Sequence, residues 1–245
     1  MNNDIGGVWR TVGGRKIFIK DGQDLASAMK ESGKFKPKNI NPIYNIKANI
    51  KTSENFQNNI DSKIQEKVVQ YTQELTEEYQ DVLLQENIVW KTFSREKDEV
   101  ANSAYNLNPN YFKNIEETKR FIRSKMDNGY YVKCDDELKY IVAHEVGHNI
   151  SIGLYNQLNQ DKLRTVKDYE NWNNKFMKKV EDRYKKEISN ELDYKSEISK
   201  YATDNPKRIE LFAECFAEYT SSSHPRPFSK IFGEELEKER KLLKW

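Results

Sequence analysis

The stretch from Ile141 to Gly153, IVAHEVGHNISIG, limits the possible folds of this chain more than any other. With Leu138, Tyr140, Ile141, Val142, Val146, Ile150 and Ile152, apolar side chains fall on almost every face at about 100° per residue, which predicts a buried helix. Asp135 or Asp136 can cap its start. Burial makes polar side chains costly unless each finds a partner. This helix carries His144, Glu145 and His148, which include two of only three histidines in the chain. Residues at i and i+4 project from one face about a turn apart, so both imidazoles can grip one metal ion. Glu145, rotated by about 100°, can reach a water on that ion. H-E-x-x-H is the spacing of zinc hydrolases, and so few histidines make a chance occurrence rare.

A catalytic zinc takes three protein ligands and keeps its fourth position for water. The remaining histidine, His224, lies in SSSHPRPF, where Pro225 and Pro227 break regular structure, so carboxylates are the better candidates. Residues 205–219, NPKRIELFAECFAEY, read as a second largely buried helix, with Asn205 as cap and Pro206 in the first turn. Glu210, Glu214 and Glu218 share one stripe of it, offset by about 40° per step. Taken alone, that segment fits equally well an amphipathic helix whose glutamates face water. The histidine motif upstream favours the metal-facing reading.

At 245 residues the chain has room for one substantial domain with an appendage, at about 150 residues per domain. Hydrophobic residues make up 36% and charged residues 33%, so a compact core with much solvated helix or linker is expected. Forty-one Lys and Arg are interspersed with 39 Asp and Glu, a net charge of +2, which argues against nucleic acid as the main partner. The N-terminus MNNDIGGVWR lacks the apolar core of a signal peptide, and no run approaches the roughly 18 apolar residues of a membrane span. The expectation is a cytoplasmic protein without a membrane partner. Cys134 and Cys215 lack zinc-knuckle spacing and read as free thiols.

Residues 7–22 hold two β-favouring runs around Gly13 and Gly14, which predicts a small hairpin. A short helix is expected over 24–32 and a tether over 33–50, rich in Asn and Lys with two prolines, giving a module at 1–50 and a main domain at 51–245. Apolar residues from Ile60 to Leu83 recur at helical steps and predict one long helix from Phe56 to about Gln85. NIVWKTF (87–93) and SAYNLNPNYF (103–112) read as strands, and 115–127 as a helix.

HEVGH followed by ELFAECFAEY resembles the glutamate-ligand zincins, in particular the C-terminal domain of anthrax lethal factor and related metallopeptidase domains of bacteria and phages. The family motif is Glu-aromatic-aromatic-Ala-Glu-x-aromatic, and here Leu211 replaces the first aromatic. The resemblance covers about residues 90–232. It implies an α+β zincin-like domain with a buried HExxH helix and a small mixed sheet. It also implies Zn2+ held by His144, His148 and Glu210, Glu214 supporting the site from behind, and Glu145 as general base. Tyr201, in ISKYATDNPKR, matches the family tyrosine that donates to the oxyanion. An edge strand bordering the cleft would pair with extended polypeptide substrate, and SAYNLNPNYF is its candidate.

The N-terminal piece WRTVGGRKIFIKDGQDLASAMKESGKF resembles a module of phage minor head proteins. That implies a phage or prophage context, with head or portal proteins as partners and a virion-associated location besides the cytoplasm. The expected activity is zinc-dependent peptide hydrolysis. Two alternatives are a morphogenesis protein with a non-catalytic zincin domain and a toxin peptidase acting on a host protein.

Overall fold

The computed structural model describes residues 7–12, 15–20, 48–85, 87–93, 99–159, 165–204 and 208–243, the first two ranges as backbone alone. The chain divides into two compact units, residues 1–44 and 45–245. In the first, strands β1 (Gly7–Val12) and β2 (Arg15–Lys20) pair antiparallel, with Gly7 opposite Lys20 and Val12 opposite Arg15. The Gly13–Gly14 turn, the helix expected over 24–32 and the tether up to residue 47 lie outside the described residues. The end of that expected tether does not hold, because Asn49 and Ile50 already belong to strand β3 (Asn49–Thr52).

The second unit is mixed α+β and mostly helical, with a small mixed sheet among the described residues. Strand β4 (Asn87–Thr92) runs parallel to β3, β6 (Asn106–Leu107) runs parallel to β4, and β5 (Ala101–Asn102) pairs antiparallel with β6, giving the order β3-β4-β6-β5. SAYNLNPNYF is therefore not the edge strand. Only Asn106 and Leu107 of it are strand, and they lie inside the sheet, while a 3-10 turn takes Pro109–Tyr111. Proline cannot donate to a ladder, so the strand ends before Pro109. Among the described residues the edge next to β6 is Ala101–Asn102.

The long helix expected from Phe56 is broken in two. Helix α1 (Glu54–Asn59) ends where Ile60 turns extended, and α2 (Ser62–Glu78) starts afresh on Asp61, whose carboxylate accepts from the backbone N–H of Lys63 and Ile64. The other Asp61 oxygen accepts from Ile115 N–H, so the break also anchors the start of α3 (Ile115–Asp127). Capping chemistry prevails here over an unbroken apolar period. A 3-10 turn at Gln80–Val82 then replaces the expected last turns.

Helix α4 (Glu137–Leu158) is the axis of the domain. Asp136 caps it by accepting from Leu138 and Lys139 N–H, and every residue from Tyr140 to Ser151 is buried. It is enclosed by α2, by the 80–82 turn, by α5 (Val166–Glu187) and above all by α8 (Ile209–Ser221). Gly153 permits one of these approaches, since a Cβ there would lie 1.9 Å from the Val82 carbonyl oxygen. Short helices α6 (Tyr194–Glu197) and α7 (Lys200–Asp204) precede α8, and α9 (Pro227–Leu242) closes the fold on α5 and α8. Trp90 of β4 is fully buried and donates its indole N–H to Thr72 of α2 at 2.9 Å, which ties the sheet to the helices.

The α5–α9 seam is ionic. Glu235, 2% exposed, meets Lys179 at 2.8 Å, Lys238 at 2.5 Å and Arg183 at 3.1 Å. Burial opposes its ionisation, but hydrogen bonds from Lys179, Lys238 and Arg183 outweigh that and pull its carboxyl down to about 2. A depressed carboxylate pKa stabilises the fold above the unfolded-state value and loses that contribution as pH falls through the folded one. Glu235→Gln should therefore lower stability at pH 7 by about 1–2 kcal/mol, allowing for the half-exposed lysines. The difference from wild type should shrink between about pH 4.5 and pH 2. Denaturant melts across that range check it.

Candidate metal centre

The crossing of α4 and α8 creates the site. Gly147, the fourth residue of HEVGH, faces Phe216, where a Cβ would come within 3.0 Å of the ring, so the missing side chain lets the helices close. That approach brings Glu210 and Glu214 under the two histidines. The helix expected over 205–219 starts later, at Ile209, with Arg208 at its cap position and no side-chain cap bond, and it runs on to Ser221. Asn205 and Pro206 lie outside the described residues. The glutamate stripe does not face water: Glu214 is 0% and Glu218 1% exposed, and Glu210 is partly buried.

His144 Nε2 lies 3.1 Å and His148 Nε2 3.4 Å from the same Glu210 oxygen, Oε2, and ligand atoms of the three residues all fall within 4.8 Å of one another. A four-coordinate ion with bonds of about 2.0–2.1 Å spaces its ligand atoms about 3.3 Å apart. The three side chains can hold a metal ion.

Behind this group, Glu214 fixes the chemistry of His144. Its Oε1 accepts from the Tyr140 hydroxyl at 2.6 Å and from His144 Nδ1 at 2.9 Å, and its Oε2 accepts from Val132 N–H at 3.1 Å. With the carboxylate as acceptor, Nδ1 carries a hydrogen and Nε2 is the ring nitrogen turned to Glu210. Nε2 faces the Glu210 oxygen 3.1 Å away, a contact held by a positive charge between the two atoms, a proton or a metal ion. Burial alone would lower the His144 pKa, yet the hydrogen bonds to Glu210 and Glu214 hold it well above its ordinary value. Burial likewise opposes ionisation of Glu210, but its contacts with both histidines keep its carboxyl well below the usual range. The donor set, two imidazole nitrogens and one carboxylate oxygen, fits a borderline cation such as zinc.

A cavity of about 300 Å3 opens beside the group, lined by His144, Glu145, Tyr140, Ile141, Tyr201 and Tyr131, and also by Val100 and by Ala101 of β5. Glu145 is buried, and desolvation raises its pKa against the opposing pull of His144 and His148. The Tyr201 ring centroid lies 5.7 Å from that of His144. Burial, followed by the nearby Glu210, Glu145 and Glu214, pushes the Tyr201 phenol far up, so its hydroxyl stays a donor. His224 is exposed on its loop and touches Ser223. Cys134 and Cys215 are buried free thiols.

The sequence reading missed Tyr140, Tyr131 and the Val132 N–H. Tyr140 stands four residues before His144 and so shares its face, a signal that was present but read only as apolar surface. The Tyr130–Tyr131 pair in DNGYYVKC marks an aromatic turn after Gly129, whose φ is +73°. A backbone N–H carries no sequence signal.

Glu214→Gln keeps the shape but loses a purely accepting partner for His144. It should weaken divalent metal binding about 10- to 100-fold while leaving the fold intact. Competition titration with Zn2+ or Co2+ against a chelating dye, with circular dichroism as control, checks this.

No protein-family model, curated protein or solved structure matches the chain.

Proposed function

We propose that the chain is a zinc-dependent peptidase of the zincin kind, with His144, His148 and Glu210 as metal ligands. One observation carries this reading: two HExxH imidazoles and one glutamate oxygen converge behind a cleft that also presents Glu145. A purely structural metal site would use four protein ligands and have no need of a cleft. Among the described residues the group offers three. The mixed sheet with an antiparallel edge strand, Ala101–Asn102, supports the zincin resemblance, because Val100 and Ala101 border the cleft and an extended polypeptide can add to that edge. The phage or prophage setting belongs to the proposal through the N-terminal resemblance alone.

Zinc bound here would polarise the substrate carbonyl and lower the pKa of a water towards about 7. Glu145, whose pKa is already raised by burial, would accept that water's proton and pass it to the departing amine. The Tyr201 hydroxyl, kept protonated, donates a hydrogen bond to the oxygen of the tetrahedral adduct. Glu214, accepting from Nδ1, orients the His144 ring with Nε2 towards Glu210.

Glu145→Gln should retain one zinc per chain and lose about 10²- to 10⁴-fold in the rate of hydrolysis of a peptide-library substrate. Undiminished hydrolysis by that variant would defeat the mechanism. Tyr201→Phe should lower kcat about 10²- to 10³-fold with little change in zinc content. Steady-state kinetics on the zinc-loaded variant read that effect.

A further inference from the structure

The third glutamate of the α8 stripe has no part in the metal centre, yet its carboxylate is fully engaged. Glu218 Oε1 accepts from Arg226 N–H at 2.9 Å and from Arg226 Nε at 2.8 Å, and Oε2 accepts from Arg226 Nη2 at 3.0 Å and Ser229 Oγ at 2.7 Å. The same guanidinium donates from Nη1 to the Ser196 carbonyl at 2.8 Å and from Nη2 to the Ile198 carbonyl. Those carbonyls lie in the segment that leads directly into α7, the helix bearing Tyr201. One planar fork thus joins a buried carboxylate at the end of α8 to the backbone just before the tyrosine.

Helix α7 has five residues, too few to hold its own geometry, so its position depends on tethers. On one side Lys200 and Tyr201 N–H donate to the carbonyls of Gly129 and Tyr130 at 2.9 and 3.0 Å, and Ser199 Oγ caps Ala202 N–H at 3.1 Å. On the other side Arg226 holds the Ser196 and Ile198 carbonyls. The buried Glu218 orients the guanidinium that makes them.

We propose that Glu218 and Arg226 are positioning residues that hold the α7 segment, and with it the Tyr201 hydroxyl, at the cleft. This rests on the peptidase reading for its catalytic consequence but not for its structural one. Arg226→Lys keeps the charge and loses the fork, because an ammonium cannot bridge a carboxylate and two carbonyls in this geometry.

In the zinc-loaded full chain, Arg226→Lys should leave zinc content unchanged. It should accelerate amide hydrogen exchange in residues 198–204 about tenfold or more while α4 stays protected. On a peptide substrate kcat should fall about tenfold with KM within about twofold, and the loss should shrink below about twofold in a Tyr201→Phe background. Glu218→Gln, which cuts the carboxylate fork and leaves the carbonyl contacts, should show the same pattern at smaller size. Unchanged exchange around Tyr201, exchange accelerated equally in α4, or equal kcat losses with and without the Tyr201 hydroxyl would each overturn the proposal. Exchange needs no substrate. A protein that hydrolyses nothing, yet loosens only around Tyr201 in Arg226→Lys, would remove the peptidase reading and leave the tether standing.

Discussion

The carboxylate of Glu214 sits where water cannot reach it, and the domain is arranged around satisfying it. An unpaired charge at that depth would cost several kcal/mol, and breaking a buried pair by removing one partner costs about as much. Three donors meet it: the Tyr140 hydroxyl and His144 Nδ1 from α4, and Val132 N–H from the turn that precedes that helix. They can do so only because α4 and α8 cross closely over Gly147 and Phe216. The close crossing of the two helices thus brings one buried group onto three donors, and the aim of His144 Nε2 at Glu210 follows from it.

From that crossing the remaining parts of the site follow in layers. Glu210 comes one turn before Glu214 and reaches the imidazoles, while Glu218 comes one turn after and reaches Arg226. One glutamate stripe therefore makes three contacts in sequence: with the two imidazoles, with the far nitrogen of one of them, and with the arginine that reaches the segment before Tyr201. The sheet contributes Ala101 to the cleft lining, and α5 and α9, joined by their ionic seam, both pack on α8.

Much of this was legible in the residues. The all-round apolar character of the helix carrying HEVGH announced its burial, and the i, i+4 histidines announced a shared face. The glutamate stripe was visible too, but periodicity alone could not decide between water and a buried partner. That distinction depends on what α8 packs against. Local competition hid other features. Asp61 caps α2 and also accepts from the first N–H of α3, which breaks an otherwise continuous apolar period, and Pro109 ends a run of strand-like composition after two residues of β6. The role of Arg226 was concealed in a proline-flanked loop, because its partners are backbone carbonyls some thirty residues earlier in the chain.

The most direct test of the central claim is the zinc content of the purified chain, measured by elemental analysis beside His148→Ala and Glu210→Ala. Convergence of the two imidazoles and the Glu210 oxygen predicts about one zinc per wild-type chain and a sharp reduction in both variants, with the fold retained in each. A wild-type chain that takes up no zinc even after reconstitution, or a Glu210→Ala variant that binds it as well as wild type, would contradict the account.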